Sequence, residues 1–340
     1  MGRVSFVRLT DVAARAGVSP GTVSNFFHNP SRVAELTAER IRAAIDDLGY
    51  VPNDAARALR RRETKLIGHL AFEVANPYSA EFVRAFDREA RALGYTVLNV
   101  SSEGDHELQR TLIETFVRQR VDGVLLTPTG GVGETVDVLK GHGVPVVLTD
   151  NLDGAAPAVA YDDRLTGRLA AEHLVNLGRR KIAFVGNRDG VEIIARRLQG
   201  VRDVLAGVPD SSLEVVDLET RSVASGRVAA QRLAALTPDR IPDGIVAVND
   251  PVGIGLLNVL SHRVRVPEDV AIVGIDDIEF AAEAVVPLTS VARPIDDFAA
   301  QSLRLLHSQI HGDATGGERS LVVLEPRLIV RESTVPGTAT

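Results

Sequence analysis

The sequence predicts a small all-α head followed by a larger α/β body with parallel sheets. Near the N-terminus, two short helical patterns meet at a glycine. Beyond Lys65, short β-branched apolar runs alternate with amphipathic stretches of helix length, which is typical of a parallel sheet covered by helices. The charge is also divided: residues 1–65 carry 11 Lys and Arg against 7 Asp and Glu, whereas the remaining 275 carry 27 against 38. This asymmetry favours a head that contacts a polyanion and a body with a different task.

The head pattern begins with a helix that Thr10 can cap, and this helix ends at Gly17, which permits a tight turn. Ser19 can cap a second helix, whose first residue, Pro20, has no N–H to leave unpaired. A third helix follows, with an apolar stripe of Ile41, Ala44, Ile45 and Leu48. Two short helices joined at a glycine turn form a helix-turn-helix, which places the start of its second helix in the major groove of DNA.

Two alternatives for this segment fit the sequence less well. A helical hairpin inside a larger core would not explain why the segment is basic and runs into Arg60–Arg62. The run Gly17–Gly21 also matches the G-x-S-x-G elbow of hydrolases, but that elbow needs a strand before its serine, and a helix is predicted before Ser19. The sequence therefore favours DNA binding over nucleophilic catalysis.

Nine apolar runs predict the strands of the body, with helical patterns between most of them. The strand and helix count restarts at Val159–Asp163, so we expect two α/β halves in series that meet there. The segment Leu321–Val330 is apolar enough to return to a sheet, and Asp313–Gly317 is predicted to be a loop. The nine runs are Leu66–Phe72, Tyr95–Val100, Gly123–Thr127, Val144–Thr149, Ala158–Tyr161, Lys181–Val185, Leu213–Leu218, Gly244–Val248 and Val270–Ile275.

Polar residues follow several of these strands, and ligands of open α/β sheets bind beyond the carboxyl ends of strands. Carboxylates and amides can bond to a ring of hydroxyl groups, and Arg197 supplies a forked donor. A polar, sugar-like effector is therefore expected. The polar residues at the strand ends are Asp150, Asn151, Asp162, Asp163, Asn249, Asp250, Asp276 and Asp277.

Helix capping is the alternative role for these polar residues. Asp250 precedes Pro251, which is a favourable N-cap arrangement, and Asp276 with Glu279 resembles a capping box. The sequence leaves both roles open for Asp250 and Asp276.

The composition argues against several other classes of protein. The chain has no Cys, which rules out disulfides and thiolate metal sites. It lacks the phosphate-binding glycine motifs of NAD and ATP enzymes, and His106-Glu107 lacks the second His of a zinc-protease helix, so we expect no cofactor, no metal and no enzymatic activity. No secretory signal or membrane-length apolar run is visible, so a cytoplasmic protein without a membrane partner is expected. A secreted solute-binding protein would share the body but would need an export signal in place of the basic head.

The chain resembles the lactose-repressor (LacI) family of bacterial transcription regulators over nearly its whole length. Several independent motifs carry this resemblance, in the family's order: Leu9–Ala13, Ala16–Ser19, Thr22–Ser24, Leu48–Tyr50, Pro52–Asn53, Ala56–Leu59, Asn76–Tyr78, Val121–Gly123, Gly178–Ile182, Arg197–Leu198 with Gly200, Val266–Val270 and Gly274–Asp277.

The resemblance implies a helix-turn-helix domain over 1–52, a hinge helix and linker over 53–65, and an effector-binding and dimerisation body over 66–340. The body would be periplasmic-binding-protein-like, with two parallel-sheet lobes. A homodimer would bind a pseudo-palindromic operator in double-stranded DNA and respond to a small molecule. The tail shows no leucine heptad, so a dimer is expected rather than a tetramer. Leu59 matches a residue that wedges into the minor groove, although it could instead pack the hinge helix on a neighbour.

Specific residues are implied as contacts for each ligand. Asn25 stands where the family often has arginine, which predicts a preference for adenine over guanine at one operator position. Ala34 replaces the usual Ser or Thr cap of the third helix, and Val191 and Ile193 replace polar contacts of purine-binding relatives. The expected DNA contacts are Thr10, Ser19, Pro20, Gly21, Thr22, Ser24, Asn25, His28, Asn53, Arg57, Leu59 and Arg60; the expected effector contacts are Tyr78, Asp150, Asn151, Asp162, Arg197, Asn249 and Asp276.

Overall fold

A computed structural model describes residues 7–50, 63–186, 192–237, 240–312 and 320–336. The chain divides into two compact units, Met1–Thr64 and Lys65–Thr340, which we call the head and the body. Within the described ranges, no helix is long and apolar enough to cross a membrane.

The head contains three α-helices and a short 3-10 turn at Pro30–Arg32. The helices are α1 (Leu9–Ala16), α2 (Pro20–His28) and α3 (Glu35–Leu48). The predicted apolar stripe of α3 packs on the other two helices and makes a small core. Its buried members are Val12, Ala13, Ala16, Val23, Ile41, Ala44 and Tyr50.

The turn between α1 and α2 confirms most of the sequence prediction. Gly17 adopts a left-handed conformation with φ 65° and ends α1. The Ser19 hydroxyl accepts a hydrogen bond from the Thr22 N–H at 3.1 Å and caps α2. The predicted cap at Thr10 is wrong: α1 begins at Leu9, and the Asp11 carboxylate accepts the Arg8 N–H at 2.8 Å.

The body contains two six-stranded sheets. The first has the strand order β11-β5-β4-β3-β1-β2 and the second β12-β10-β9-β8-β6-β7. All of the pairings are parallel except that of β10 with β12. The strands are β1 (Leu66–Ala71), β2 (Thr96–Ser101), β3 (Gly123–Leu126), β4 (Val146–Thr149), β5 (Ala158–Tyr161), β6 (Lys181–Val185), β7 (Ser212–Val216), β8 (Gly244–Ala247), β9 (Ala271–Asp276), β10 (Thr289–Ala292), β11 (Leu321–Leu324) and β12 (Arg327–Ile329).

Helices connect most of these strands, as the parallel pairing requires. They are α4 (Pro77–Ala92), α5 (His106–Gln119), α6 (Val132–Gly141), α7 (Asp163–Asn176), α8 (Glu192–Leu205), α9 (Val223–Ala234), α10 (Asp250–Leu260), α11 (Glu279–Ala282) and α12 (Ile295–His311). We call the first sheet with its helices lobe 1 and the second with its helices lobe 2.

The chain passes between the lobes three times, not once. It crosses after β5, as predicted, and again between β10 and α12, because α12 packs on lobe 1. It crosses a third time between β11 and β12, which lie in different sheets. The prediction of two halves in series therefore holds as far as β10 and fails beyond it, where α12 and β11 return to lobe 1. The segment Leu321–Val330 returns to the sheets as predicted, as two strands separated by Glu325 and Pro326, because proline has no N–H for a sheet ladder.

Candidate functional sites

A cavity of about 340 Å³ lies between the lobes of the body, beyond the carboxyl ends of the parallel strands. Both lobes contribute residues to its wall. Of the seven predicted effector contacts, six line the cavity: Tyr78, Asp150, Asn151, Arg197, Asn249 and Asp276. The seventh, Asp162, is absent from the lining, and its carboxylate instead caps α7 by accepting the Leu165 N–H at 2.8 Å.

Two aspartates of the cavity wall, Asp150 and Asp276, occupy unusual backbone positions. Asp150 follows β4 with φ 52°, and Asp276 ends β9 with φ 109°. Positive φ is strained for residues other than glycine, and such positions persist only where the surrounding structure enforces them. Here the backbone turns sharply at the end of each strand, which brings one carboxylate from each lobe to the same cavity.

Arg197 on α8 is held in the wall by two hydrogen bonds. Its Nε donates to the Asp163 carboxylate at 2.8 Å, and its Nη1 donates to the Val248 carbonyl at 2.7 Å. Its Nη2 lies 3.9 Å from Asp276 Oδ1. Arg197 and Asp163 are both 3% exposed, so this ion pair is buried.

Arg293 is a cavity residue that the sequence analysis missed. It directly follows β10, on the connection that leads back to lobe 1. Its Nη2 donates to Asp150 at 2.8 Å and its Nη1 to Asp276 at 3.4 Å, so it joins the carboxylates of both lobes. Its guanidinium carbon lies 4.6 Å from the ring centre of Tyr78 and 4.2 Å from that of Tyr161. Its position after a strand was the signal available, but β10 itself was not predicted.

Burial and the neighbouring charges shift the pKa values of this cluster. Burial raises the pKa of Asp150 and of Asp276 above the ordinary aspartate value, although Arg293 and Arg197 oppose the shift. Burial disfavours the charge of Arg293, but Asp150 and the other nearby acids outweigh this effect and raise the pKa of its guanidinium. Arg293 therefore remains charged, and the Asp150 and Asp276 carboxyl groups accept a proton more readily than exposed aspartates do.

Asn249 both caps α10 and lines the cavity, whereas Asp250 takes neither of the two roles that the sequence left open for it. Asn249 is the N-cap of α10, because its Oδ1 accepts the Val252 N–H at 3.1 Å, and it also lines the cavity. Asp250 is the first residue of α10 and does not cap it. Its buried carboxylate accepts the Ile278 N–H at 2.9 Å and the Ser290 hydroxyl at 2.6 Å. Burial, together with the charge of Asp276, raises the pKa of Asp250 well above its ordinary value.

The capping box suggested for Asp276 and Glu279 is also wrong. Helix α11 begins at Glu279 with Ile278 as its N-cap, and Asp276 still belongs to β9. The Asp276 carboxylate is engaged by Arg293 in the cavity.

An ion pair spans the lobes at the edge of the cavity. Glu73, after β1, accepts a hydrogen bond from Arg221, before α9, at 3.2 Å. The Arg221 guanidinium also lies 5.0 Å from the ring centre of Phe72. These residues were not predicted, because neither belongs to a recognisable motif.

His69 on β1 contributes a neutral ring to the cavity wall. It is 1% exposed, and its Nδ1 lies 2.8 Å from Asn99 Oδ1. Burial lowers the pKa of His69 to about 4, despite this hydrogen bond. Among the described residues, no group of His, Asp and Glu is arranged to hold a metal ion.

Helix α2 presents an exposed face in the head. Pro20, Gly21 and Asn25 are exposed, and Gly21 and Asn25 lie one turn apart on the same side. Thr10 on α1 is exposed as well. Four other predicted DNA contacts lie in or next to α2. Ser24 is partly buried, and the Ser19 and Thr22 hydroxyl groups form a hydrogen bond with each other. The Nδ1 of His28 lies 2.6 Å from the Ser24 carbonyl oxygen.

Four predicted DNA contacts lie outside the described residues, and so does one of the two positions that replace polar contacts of purine-binding relatives. They are Asn53, Arg57, Leu59, Arg60 and Val191.

Comparisons with known proteins agree with both parts of the chain. Residues 8–53 match the family model of bacterial regulatory proteins, lacI family, and residues 171–334 match a periplasmic binding protein-like domain. The ribose operon repressor of Escherichia coli (strain K12) is 31% identical over 310 residues, which are 89% of this chain and 92% of that protein.

Solved structures match over nearly the whole chain. The Lac repressor dimer bound to operator and the anti-inducer ONPF is 26% identical with a TM-score of 0.81, and the match covers 97% of this chain and 99% of that one. The transcriptional regulator CelR in complex with cellobiose is 31% identical with a TM-score of 0.69, and the match covers 96% and 99%. The helix-turn-helix head, the two-lobed α/β body and these likenesses establish that the chain belongs to the lacI family of bacterial regulatory proteins.

Proposed function

We propose that this chain is a transcriptional repressor that binds a pseudo-palindromic operator as a homodimer and responds to a small polar effector. The observation that carries the proposal is the presence, in one chain, of a helix-turn-helix and of a polar cavity between two lobes. We assign DNA binding to 1–52, the hinge helix and linker to 53–65, and effector binding and dimerisation to 66–340. The protein would act in the cytoplasm at the nucleoid, without catalysing a reaction.

In this proposal, α2 enters the major groove with its exposed face. The Asn25 amide can donate to and accept from adenine, so it is the main base-reading residue, with Gly21 and Pro20 allowing close approach. Ser19 and Thr22 fix the start of α2, whose backbone N–H groups face a phosphate. Thr10, Ser24 and His28 complete the contact surface.

The hinge segment supplies the second group of DNA contacts. Arg57 and Arg60 neutralise phosphates, and Asn53 begins the hinge helix. Leu59 inserts between the central base pairs, where partial unstacking is offset by the contacts that a bent duplex permits.

The cavity favours an effector that carries several hydroxyl groups. Asp150 and Asp276 accept hydrogen bonds, whereas Arg197 and the Asn151 and Asn249 amides donate them. Phe82, Phe298 and Tyr78 add aromatic surface on the lobe 1 side, against which the apolar face of a ring can pack. The cellobiose complex of CelR supports a sugar or a related metabolite.

Exposed apolar side chains on lobe 2 support a homodimer. Phe280 on α11 is 56% exposed and Val285 shortly after it is 63% exposed. Apolar side chains that are exposed close together in the sequence are candidates for a contact with a second copy of the chain. The Lac repressor bound to operator is a dimer, which supports a homodimer for this chain.

Regulation follows from the difference in effector affinity between two dimer states. An effector that closes the lobes more favourably in one state shifts the dimer toward that state and so changes its affinity for DNA. An effector that binds both states equally changes nothing.

The proposal is tested by selecting genomic fragments with the purified full-length protein at about 0.15 M salt. We expect enrichment of a palindromic sequence that binds less tightly to the Leu59→Ala variant. Salt-sensitive binding without sequence preference, with or without small metabolites, would contradict a repressor function and leave only a ligand-binding body.

A further inference from the structure

Two arginines in the cavity wall have buried N–H groups without an acceptor. Arg197 is 3% exposed and Arg293 5% exposed, and within the part of the chain that the structure describes, neither Arg197 Nη2 nor Arg293 Nε has a hydrogen-bond partner. A buried charged donor without a partner is costly, so such groups point to a ligand that completes their bonding.

The two guanidinium groups lie on the same side of the site. Arg197 Nη2 is 3.9 Å and Arg293 Nη1 is 3.4 Å from one oxygen, Asp276 Oδ1. Both guanidinium groups therefore lie next to Asp276. Arg221 places a third guanidinium at the edge of the same cavity.

The acids that face these cations are able to give up part of their negative charge. Burial raises the pKa of both Asp150 and Asp276, so that either group takes up a proton more easily when another anion approaches. A protonated carboxyl group can still donate to or accept from a ligand hydroxyl. Asp150 and Asp276 therefore do not by themselves exclude an anionic ligand.

We propose that the effector is a polyhydroxy acid, such as a sugar acid, and that Arg293 together with Arg197 binds its carboxylate. This inference rests on the proposed function and narrows its effector. Arginine is suited to the role because its planar donors match the two oxygens of a carboxylate. The hydroxyl groups of the acid face Asp150, Asn151 and Asn249.

The size of the cavity limits the length of this acid. At about 340 Å³ it is near the small end of ligand pockets, which span roughly 300–1,000 Å³. One sugar ring or a short open chain with its carboxylate fits this volume better than a long oligosaccharide.

The test compares matched acids and neutral sugars on the full-length protein by isothermal titration calorimetry. The probes are gluconate, glucuronate, galacturonate and arabinonate, with glucose, galactose and arabinose as neutral partners. We expect at least one acid to bind about tenfold or more tightly than its neutral partner, as one charge-assisted hydrogen bond would give.

Variants then assign the preference to Arg293. Arg293→Gln keeps a hydrogen-bond donor but removes the charge, and we expect it to abolish the preference for the acid. Arg293→Lys keeps the charge and should retain part of the preference. Arg168→Gln, at an exposed position on α7 where Arg168 pairs with Glu172 away from the cavity lining, is the matched control and should leave the preference unchanged.

Equal or tighter binding of the neutral sugars by the natural protein overturns the proposal, as does failure of every acid to bind at about 10 mM. These measurements need no variant, so they decide the question even where Arg293→Gln does not fold. Operator binding is measured separately. If the operator is bound but the acids are not, the inference fails and the repressor function stands; if no operator is bound, the repressor function fails.

Discussion

The geometry of the cavity depends on a few buried charged residues. Arg197 and Asp163 neutralise each other where both are almost fully removed from water, and Arg293 joins two carboxylates that belong to different lobes. A buried ion pair adds little net stability, but the loss of one partner leaves an unpaired charge. Residues with this arrangement hold the site in one geometry.

Replacing Arg197 with Met should destabilise the protein by about 3–5 kcal/mol, because Asp163 stays buried without its cation. The free energy of unfolding is measured in urea by circular dichroism. The neighbouring Arg196→Met removes only an exposed ion pair with Glu192, so its change should stay within about 0.5 kcal/mol. Equal losses in the two variants would show that the Arg197 pair is not buried as described.

The lowered pKa of His69 predicts that the free energy of unfolding depends on pH. Its pKa is about 4 in the folded protein and 6.5 when exposed, so the unfolded chain binds the extra proton between these values. Stability due to His69 is therefore present above pH 6.5 and falls as the pH drops, by about 2 kcal/mol from pH 7 to pH 5. His69→Gln should remove this part of the slope. The measurement is urea unfolding at several pH values.

We expect Asn25 to set the base preference at a single operator position. Asn25→Ala should cost about 1–3 kcal/mol against the preferred base and equalise the four bases there. Competition binding with operators randomised at one position at a time gives the result. A uniform loss across all sequences would instead identify Asn25 as a phosphate contact.

Close packing between helices positions the cavity residues. Gly167 on α7 faces the backbone of α8, and a Cβ at this position would collide with the Arg197 carbonyl oxygen. Position 167 requires glycine because the atoms opposite it belong to the backbone of α8, which cannot rotate away as a side chain could. The contact also sets where Arg197 enters the cavity, since Arg197 belongs to α8.

Gly167→Ala should therefore destabilise the body by about 1–3 kcal/mol, although alanine is the better helix former. Gly133→Ala on α6 is the control: nothing lies near its added methyl group, so we expect no loss or a gain of up to about 1 kcal/mol. Both free energies come from urea unfolding. A gain in both variants would mean that α7 and α8 are not in close contact.

The strands show how far sequence patterns reach. All nine long apolar runs form strands, because buried parallel strands need continuous β-branched side chains. Strand β10 was missed, because Thr289 and Ser290 make half of it polar, and both are buried through hydrogen bonds that no local pattern reveals. Arg293 was missed with it, whereas the six cavity residues at recognised strand ends or family motifs were found.

For the whole molecule, the route of the chain is the part that sequence alone does not give. The three passages between lobes depend on long-range contacts of α12 and on which sheet accepts β11 and β12. Arg293 and Pro294 lie on one of these passages, and Tyr161, which donates to the Pro294 carbonyl at 3.1 Å, lies beside another. The cavity therefore borders the connections between the lobes.

We expect ligand binding in the body to change DNA binding by the head. The most direct test is the affinity of the full-length protein for its selected operator, with and without the acid that binds the cavity. We predict a change of about 5-fold to 150-fold in either direction, and a stoichiometry of two chains per operator. A ligand that saturates the cavity while the operator affinity stays within about twofold would contradict the account.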